Sequence, residues 1–343
     1  MQRLIDTPGP LLDEKGRLAQ TGYATSLLRA YDRRRVAASR LRIKEWDYYC
    51  VVSDRYALAL TIADNGYMGL DSVSLLDFDG PWETTQSKMC VLPLGKRGLP
   101  ATSEKGDVSA SGKGYALHFE NDGRRRRLYG HMDSFRQGLP LLFDVTLSQP
   151  PRDSMVIMTP FAGKPTAFYY NQKINCLRAE GKVLLGDTEY LFSPAHSFAV
   201  LDWGRGVWTY DNTWYWGSAS GLADGVSFGF NIGYGFGDTS AATENMLFYN
   251  GRAHKLSQVR FEIPMKNGRE DYLSPWRFTS DDHRFCMDFA PILDRAAKMD
   301  FKVLCSDQHQ VFGRFSGQAV LDDGKTVQVR ALTGFAEKVH NRW

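Results

Sequence analysis

Carboxylates placed beside large aromatic rings are the residues here whose types and spacing could do chemistry. The densest such stretch runs from Leu201 to Trp216 and holds Asp202, Trp203, Arg205, Trp208, Asp211, Trp214 and Trp216. An aspartate packed against rings loses water and can keep its proton near neutral pH, which is what a general acid needs. Arg205 offers Asp202 the opposite fate, an ion pair in a structural clamp. Trp203, Trp208, Trp214 and Trp216 are the expected ligand wall, with core packing as their ordinary alternative.

A second group lies just downstream. The run Phe228-Gly229-Phe230-Asn231-Ile232-Gly233-Tyr234-Gly235-Phe236-Gly237 alternates large apolar residues with glycine and one asparagine. In a strand, alternate residues point to opposite faces, so one face is aromatic and the other almost bare. A bare face admits either a ligand or a neighbouring strand at a coiled corner. Asn231 and Tyr234 are therefore added to the expected ligand contacts. Thr243-Glu244-Asn245 follows directly, so Asp202, Asp211 and Glu244 form the expected catalytic set. Lys44-Glu45-Trp46-Asp47, Lys173 with Tyr169 and Tyr170, Gly334 to Glu337, and Asn341-Arg342-Trp343 are weaker candidates, each read by default as a salt bridge, a solvated edge or a docking terminus.

Other chemistries lack their residues. There is no Gly-x-Ser-x-Gly elbow, His-Glu-x-x-His pair or phosphate-cradling loop, and Gly233-Tyr234-Gly235 is not followed by a helix as a dinucleotide motif requires. The 7 histidines and 5 cysteines are scattered, so no metal and no cofactor is expected. A net charge of +3 over 343 residues is no nucleic-acid footprint. The run Arg124 to Arg127 follows Asn121-Asp122-Gly123, a tight-turn signal, and reads as a solvated strand end. No stretch reaches the about 18 apolar residues of a membrane helix, and no leader pattern opens the chain. Free, unpaired cysteines favour a cytoplasmic location.

The elements that must position these groups are strands. Aromatics make up 13% and glycines number 32, a pairing that suits pleated surfaces and tight turns. Short apolar runs recur about every ten residues from Leu41 onward, with turn signals at Asn250-Gly251, Asn267-Gly268 and Asp322-Asp323-Gly324. A helical period is read only near Pro291 to Met299, and a short arginine-rich helix between Ser26 and Ala38. The expectation is an all-β fold of two antiparallel barrels side by side with few short helices. Residues 1–38 form a lead-in, 39–200 the first barrel and 201–343 the second.

Several pieces together resemble the family called domain of unknown function 2804. They are Lys44-Glu45-Trp46-Asp47-Tyr48-Tyr49, Asp202 to Trp208, Thr243-Glu244-Asn245, His254-Lys255-Leu256, Gly334 to Glu337 and Asn341-Arg342-Trp343. More distantly, the layout is similar to the double-lipocalin superfamily of carotenoid hydratases and tocopherol cyclases. In that group a Trp-x-Asp-His-x-Trp-like stretch joins the barrels. Asp202 matches its aspartate, whereas Val200 and Trp203 stand in place of its Trp and His. The resemblance implies lipocalin-like barrels and, as expected function, binding of an apolar or amphipathic small molecule such as a lipid or isoprenoid. Acid-catalysed hydration or cyclisation would follow from Asp202, with Asp211 or Glu244 as partner. A carbohydrate-active protein using paired carboxylates and aromatic platforms is the alternative, and a non-catalytic carrier the third.

Overall fold

The computed structural model describes residues 2–148, 153–300 and 305–342. Two curled antiparallel sheets stand where the sequence predicts two barrels, with 13 and 9 strands among the described residues. Nine strands build the site. In the first sheet these are β1 (Lys44–Val52), β2 (Tyr56–Asp64), β3 (Lys164–Leu185) and β4 (Phe198–Val207). In the second they are β5 (Asp211–Ala223), β6 (Val226–Tyr234), β7 (Phe285–Asp300), β8 (Cys305–Val320) and β9 (Thr326–Arg342). Neighbours run β2-β1-β4-β3 in the first sheet and β6-β5-β9-β8-β7 in the second. The chain crosses between sheets at residues 208–210, so the Trp-rich stretch spans the end of one and the start of the other.

Each barrel is filled by its own side chains. Tyr49, Leu58, Phe143, Phe168 and Trp203 pack inside the first, and Ile5, Leu11, Tyr31 and Val36 from the N-terminal segment join them. Phe228, Phe230, Phe278, Phe289 and Phe315 fill the second. The sheets meet through a separate cluster that includes Tyr48, Cys50, Val200, Trp216, Phe312 and Phe335. Burying such side chains stabilises by roughly 2 kcal/mol each, which holds the two sheets together as a pair.

The glycine strand, β6, faces that interface. Phe228, Phe230 and Ile232 point into the second barrel, while Gly229, Asn231 and Gly233 point at the first. A Cβ on Gly229 would stand 2.6 Å from Cys176 Sγ of β3, so the bare face admits a strand of the neighbouring barrel. There β3 carries a bulge between Ile174 and Leu177, with Cys176 at φ 60°. Alternation with Lys173 already puts Asn175 on the interface face, and the bulge brings Cys176 there as well; Asn175 Nδ2 donates to Ser218 Oγ (2.8 Å) and Phe230 O (3.0 Å) across the interface.

Three sequence expectations need correction. Residues 291–299 are not helical. They belong to β7, whose ladder with β8 overrides the local period, and Pro291 sits at a register shift where a missing N–H costs little. The arginine-rich helix reduces to a 3-10 turn, Arg33–Arg35, capped by Asp32. In the basic run the turn at Gly123 forms, but alternation sends Arg126 inward, where it donates to Ser103 O (2.6 Å) and Tyr49 Oη (3.2 Å). All 5 cysteines are free. Trp343 lies outside the described residues, and among these no helix is long and apolar enough to cross a membrane.

Candidate functional site

Strand alternation decides what reaches the interface. On β4, Val200 and Asp202 face the second barrel, while Ala199, Leu201, Trp203 and Arg205 turn inward. The ladder places Asp202 opposite Lys173 of β3 on one side and Tyr48 of β1 on the other. On the second sheet, Trp216 of β5 lies opposite Glu337 of β9, Glu337 opposite Gln310 of β8, and Gln310 opposite Arg295 of β7. Both rows line one cavity of about 230 Å³ between the barrels.

One part of this cavity is an aromatic box. Phe236 meets Tyr169, Trp208 and Trp214 edge-on at 4.8, 5.3 and 5.3 Å, and Trp46 packs against Tyr169 and Trp208. The Trp46 ring fits because Gly204 lies beneath it, where any Cβ would collide with the indole.

The polar part is buried and engaged. Asp202 Oδ1 accepts from Asn171 Nδ2 (2.5 Å) and pairs with Lys173 Nζ (3.1 Å). The Lys173 ammonium sits 4.1 Å over the Trp216 ring and 3.4 Å from Tyr169 Oη. Glu337 Oε1 accepts from Trp214 Nε1 (3.1 Å), and its Oε2 accepts from Gln310 Nε2 (3.0 Å). Burial pushes the Glu337 carboxyl up to about 7, against the stabilising effect of those donors and of Lys173 and Arg295. Burial also raises Glu244, with Lys173 opposing and the Asp202 carboxylate adding to the rise. Tyr48 and Tyr169 are held well above the usual phenol range, chiefly by burial.

Glu244 is presented by a tightly tied loop. Its carbonyl accepts from Asn231 Nδ2 (2.8 Å), and Asn231 Oδ1 accepts from Trp216 Nε1 (2.6 Å). Asn245 Oδ1 accepts from Gly233 N (2.6 Å). Lys255 Nζ donates to Thr243 Oγ1, Asn245 O and Leu256 O at 2.7–2.9 Å. From the N-terminal segment, Gln2 Oε1 accepts from Thr243 N and Gln2 Nε2 donates to Leu256 O, both at 2.7 Å.

The residues expected from sequence thus separate. Asp202, Glu244, Trp208, Trp214 and Trp216 line the cavity, with Asn231 behind Trp216. Trp203 and Arg205 do not reach it. They stack at 4.2 Å inside the first barrel, where Arg205 pairs with Asp47 (3.0 Å) rather than with Asp202. Tyr234 lies on the opposite face of its sheet, stacked on Tyr215 at 4.5 Å. Asp211 is 61% exposed and bonded to His340 (2.9 Å). Glu337, Lys173 and Trp46 are lining residues that the sequence marked only weakly, and Tyr48 adjoins the marked Trp46. Gln310 and Arg295 carried no signal. Among the described residues no His, Cys, Asp or Glu group could hold a metal ion.

The profile of the family DUF2804, a domain of unknown function, matches residues 2–343. No curated protein matches the sequence. Among solved structures, kievitone hydratase from Nectria haematococca superposes with a TM-score of 0.54 at 11% identity, covering 88% of each chain. A Nitrosomonas europaea protein assigned as an AttH gives 0.53 at 15%, covering 92% of this chain and 98% of that one. CghA in complex with Sch210972 gives 0.50 at 12%, covering 98% and 97%. At these identities the likeness is one of fold, a pair of lipocalin-like barrels.

Proposed function

We propose that this chain, which belongs to the DUF2804 family, binds an apolar or amphipathic small molecule between its barrels and catalyses proton transfer to it. The observation that carries this reading is Glu337, a buried carboxyl titrating near neutrality beside an aromatic-walled cavity. Pockets with apolar walls and a few convergent polar groups are where such ligands bind.

The chemistry this supports is acid-catalysed hydration or cyclisation. Glu337 gives its proton to an alkene or a carbonyl oxygen of the ligand. The cation that develops is stabilised by the faces of Trp208, Trp214 and Trp46. Water then adds, or an internal nucleophile closes a ring, and the proton released returns to Glu337 or passes to Glu244. Asp202, the acid expected from the sequence, takes a positioning role here because Lys173 and Asn171 already engage it. The carbohydrate reading is less well supported, since Asp211, one of its expected acids, lies away from the cavity and the walls are largely aromatic rather than those of an open, wet cleft.

The test is to extract the purified protein with organic solvent, identify the released compound by mass spectrometry, and incubate it with enzyme in deuterated water. Deuterium incorporation that disappears in Glu337→Gln supports the proposal. An empty extract, or incorporation that persists in the variant, overturns it.

A further inference from the structure

One polar side chain on the cavity wall has nothing to bond. Asn341 of β9 lines the cavity and is only 2% exposed. Its Oδ1 is buried without a donor, and its Nδ2 donates to no group among the described residues. No other described residue lining the cavity has a buried polar atom left in that state. The neighbours of Asn341 in the ladder are satisfied. Asn212, opposite on β5, accepts from Thr209 Oγ1 (2.8 Å) and donates to Thr209 O (2.6 Å). Ser306, opposite on β8, accepts from Gln308 Nε2 (2.7 Å). That bond leaves Gln308 Oε1 to accept, and Gln308 lines the same cavity as the diagonal neighbour of Asn341 across the ladder. An unpaired buried amide is costly to the fold, and a polar group arriving with the ligand would offset that cost.

The position of this pair along the cavity sets what fits. Asn341 stands four residues from Glu337 on the same face of β9, about 13 Å along the strand. Between them that face presents Val339, with the ring of Trp214 opposite it on β5. The cavity is therefore polar at two separated points and apolar in the middle.

We infer that Asn341, with Gln308, anchors the far end of the ligand by a neutral group that both donates and accepts, a hydroxyl or a carboxamide, held across the apolar middle from the atom that meets Glu337. A hydroxyl gives its hydrogen to an amide oxygen and accepts from Asn341 Nδ2. The inference rests on the small-molecule reading above and narrows it to a ligand that is polar at both ends. Asn341 is then a specificity residue, because it selects molecules by a group remote from the reacting one.

The probes 1,10-decanediol and 1-decanol share a chain and differ by a second hydroxyl, and titration calorimetry reads the binding of either. Wild type binds the diol about threefold more tightly, the gain from one neutral hydrogen bond. In Asn341→Leu, a side chain of similar size, the second hydroxyl is buried without a partner. The diol then binds about tenfold more weakly than decanol, whose own affinity changes little. Gln308→Leu, on a less buried side chain, reduces the preference for the diol and carries the test if the Asn341 variant does not fold. A wild type that prefers decanol, as a wall that merely holds water would, overturns the inference while the small-molecule reading stands. So does a preference for the diol that survives in the variants. Binding of neither probe overturns both.

Discussion

Replacing Glu337 by glutamine gives a stability change whose size and pH dependence follow from the geometry. The carboxyl is buried beneath Trp214 and Gln310 and titrates at about 7, against an ordinary value of 4.5. The folded protein therefore keeps this proton at pH values where the unfolded chain has lost it. Because the folded state binds more protons across that interval, wild-type stability falls as pH rises from about 4.5 to just above 7. The full cost of ionising the folded group is roughly 3 kcal/mol, and about 2.5 kcal/mol of it accumulates between pH 5 and pH 8. Glutamine keeps an oxygen for the Trp214 N–H and cannot ionise. Urea unfolding of both proteins at the two pH values isolates the contribution, since other buried acids such as Glu244 are common to both. The variant should gain about 2.5 kcal/mol relative to wild type on going from pH 5 to pH 8. Parallel pH profiles would refute the reasoning, because Glu337 would then be an ordinary carboxylate.

Four further outcomes are expected. Arg205→Met leaves Asp47 buried without its partner and lowers stability by about 3–5 kcal/mol in chemical denaturation. Gly204→Ala drives a methyl into the Trp46 ring, costs about 1–3 kcal/mol and alters tryptophan emission, whereas an unchanged spectrum would mean that the ring has room. Asp202→Asn removes a charge that disfavours ionisation of Glu337, so the pH dependence of stability moves to lower pH. In Gln2→Ala the Thr243 amide loses its acceptor, and its hydrogen exchange speeds up several-fold, by about 1 kcal/mol of local stability, while β9 amides stay protected.

Fold class was legible because alternation, turns and aromatic content all indicated strands, and the sheets bear this out. Period alone misled at residues 291–299, where pairing of β7 with β8 outweighs a local pattern that carries no record of its partner strand. The site was legible in part for the same reason. Contiguity gathered Asp202, Trp203 and Arg205 into one motif, yet a strand sends neighbours to opposite faces, so Asp202 reaches the cavity and the other two do not. The same rule separates Asn231, which faces the interface, from Tyr234, where β6 ends. Glu337 was visible as the end of a strand, but its meeting with Trp214 and Gln310 depends on the β5-β9-β8 register. Gln310 and Arg295 are ordinary polar residues in sequence and come to line the cavity only through their place in that row.

The central claim is that the space between the barrels holds an amphipathic small molecule. Crystals grown with 10-bromodecanoate test it directly through the anomalous signal of the bromine. The account places that peak in the cavity whose walls include Trp208, Trp214 and Phe236. A peak in the groove near Ser53, His196 and Arg314, or no peak with the ligand in large excess during crystal growth, would contradict it.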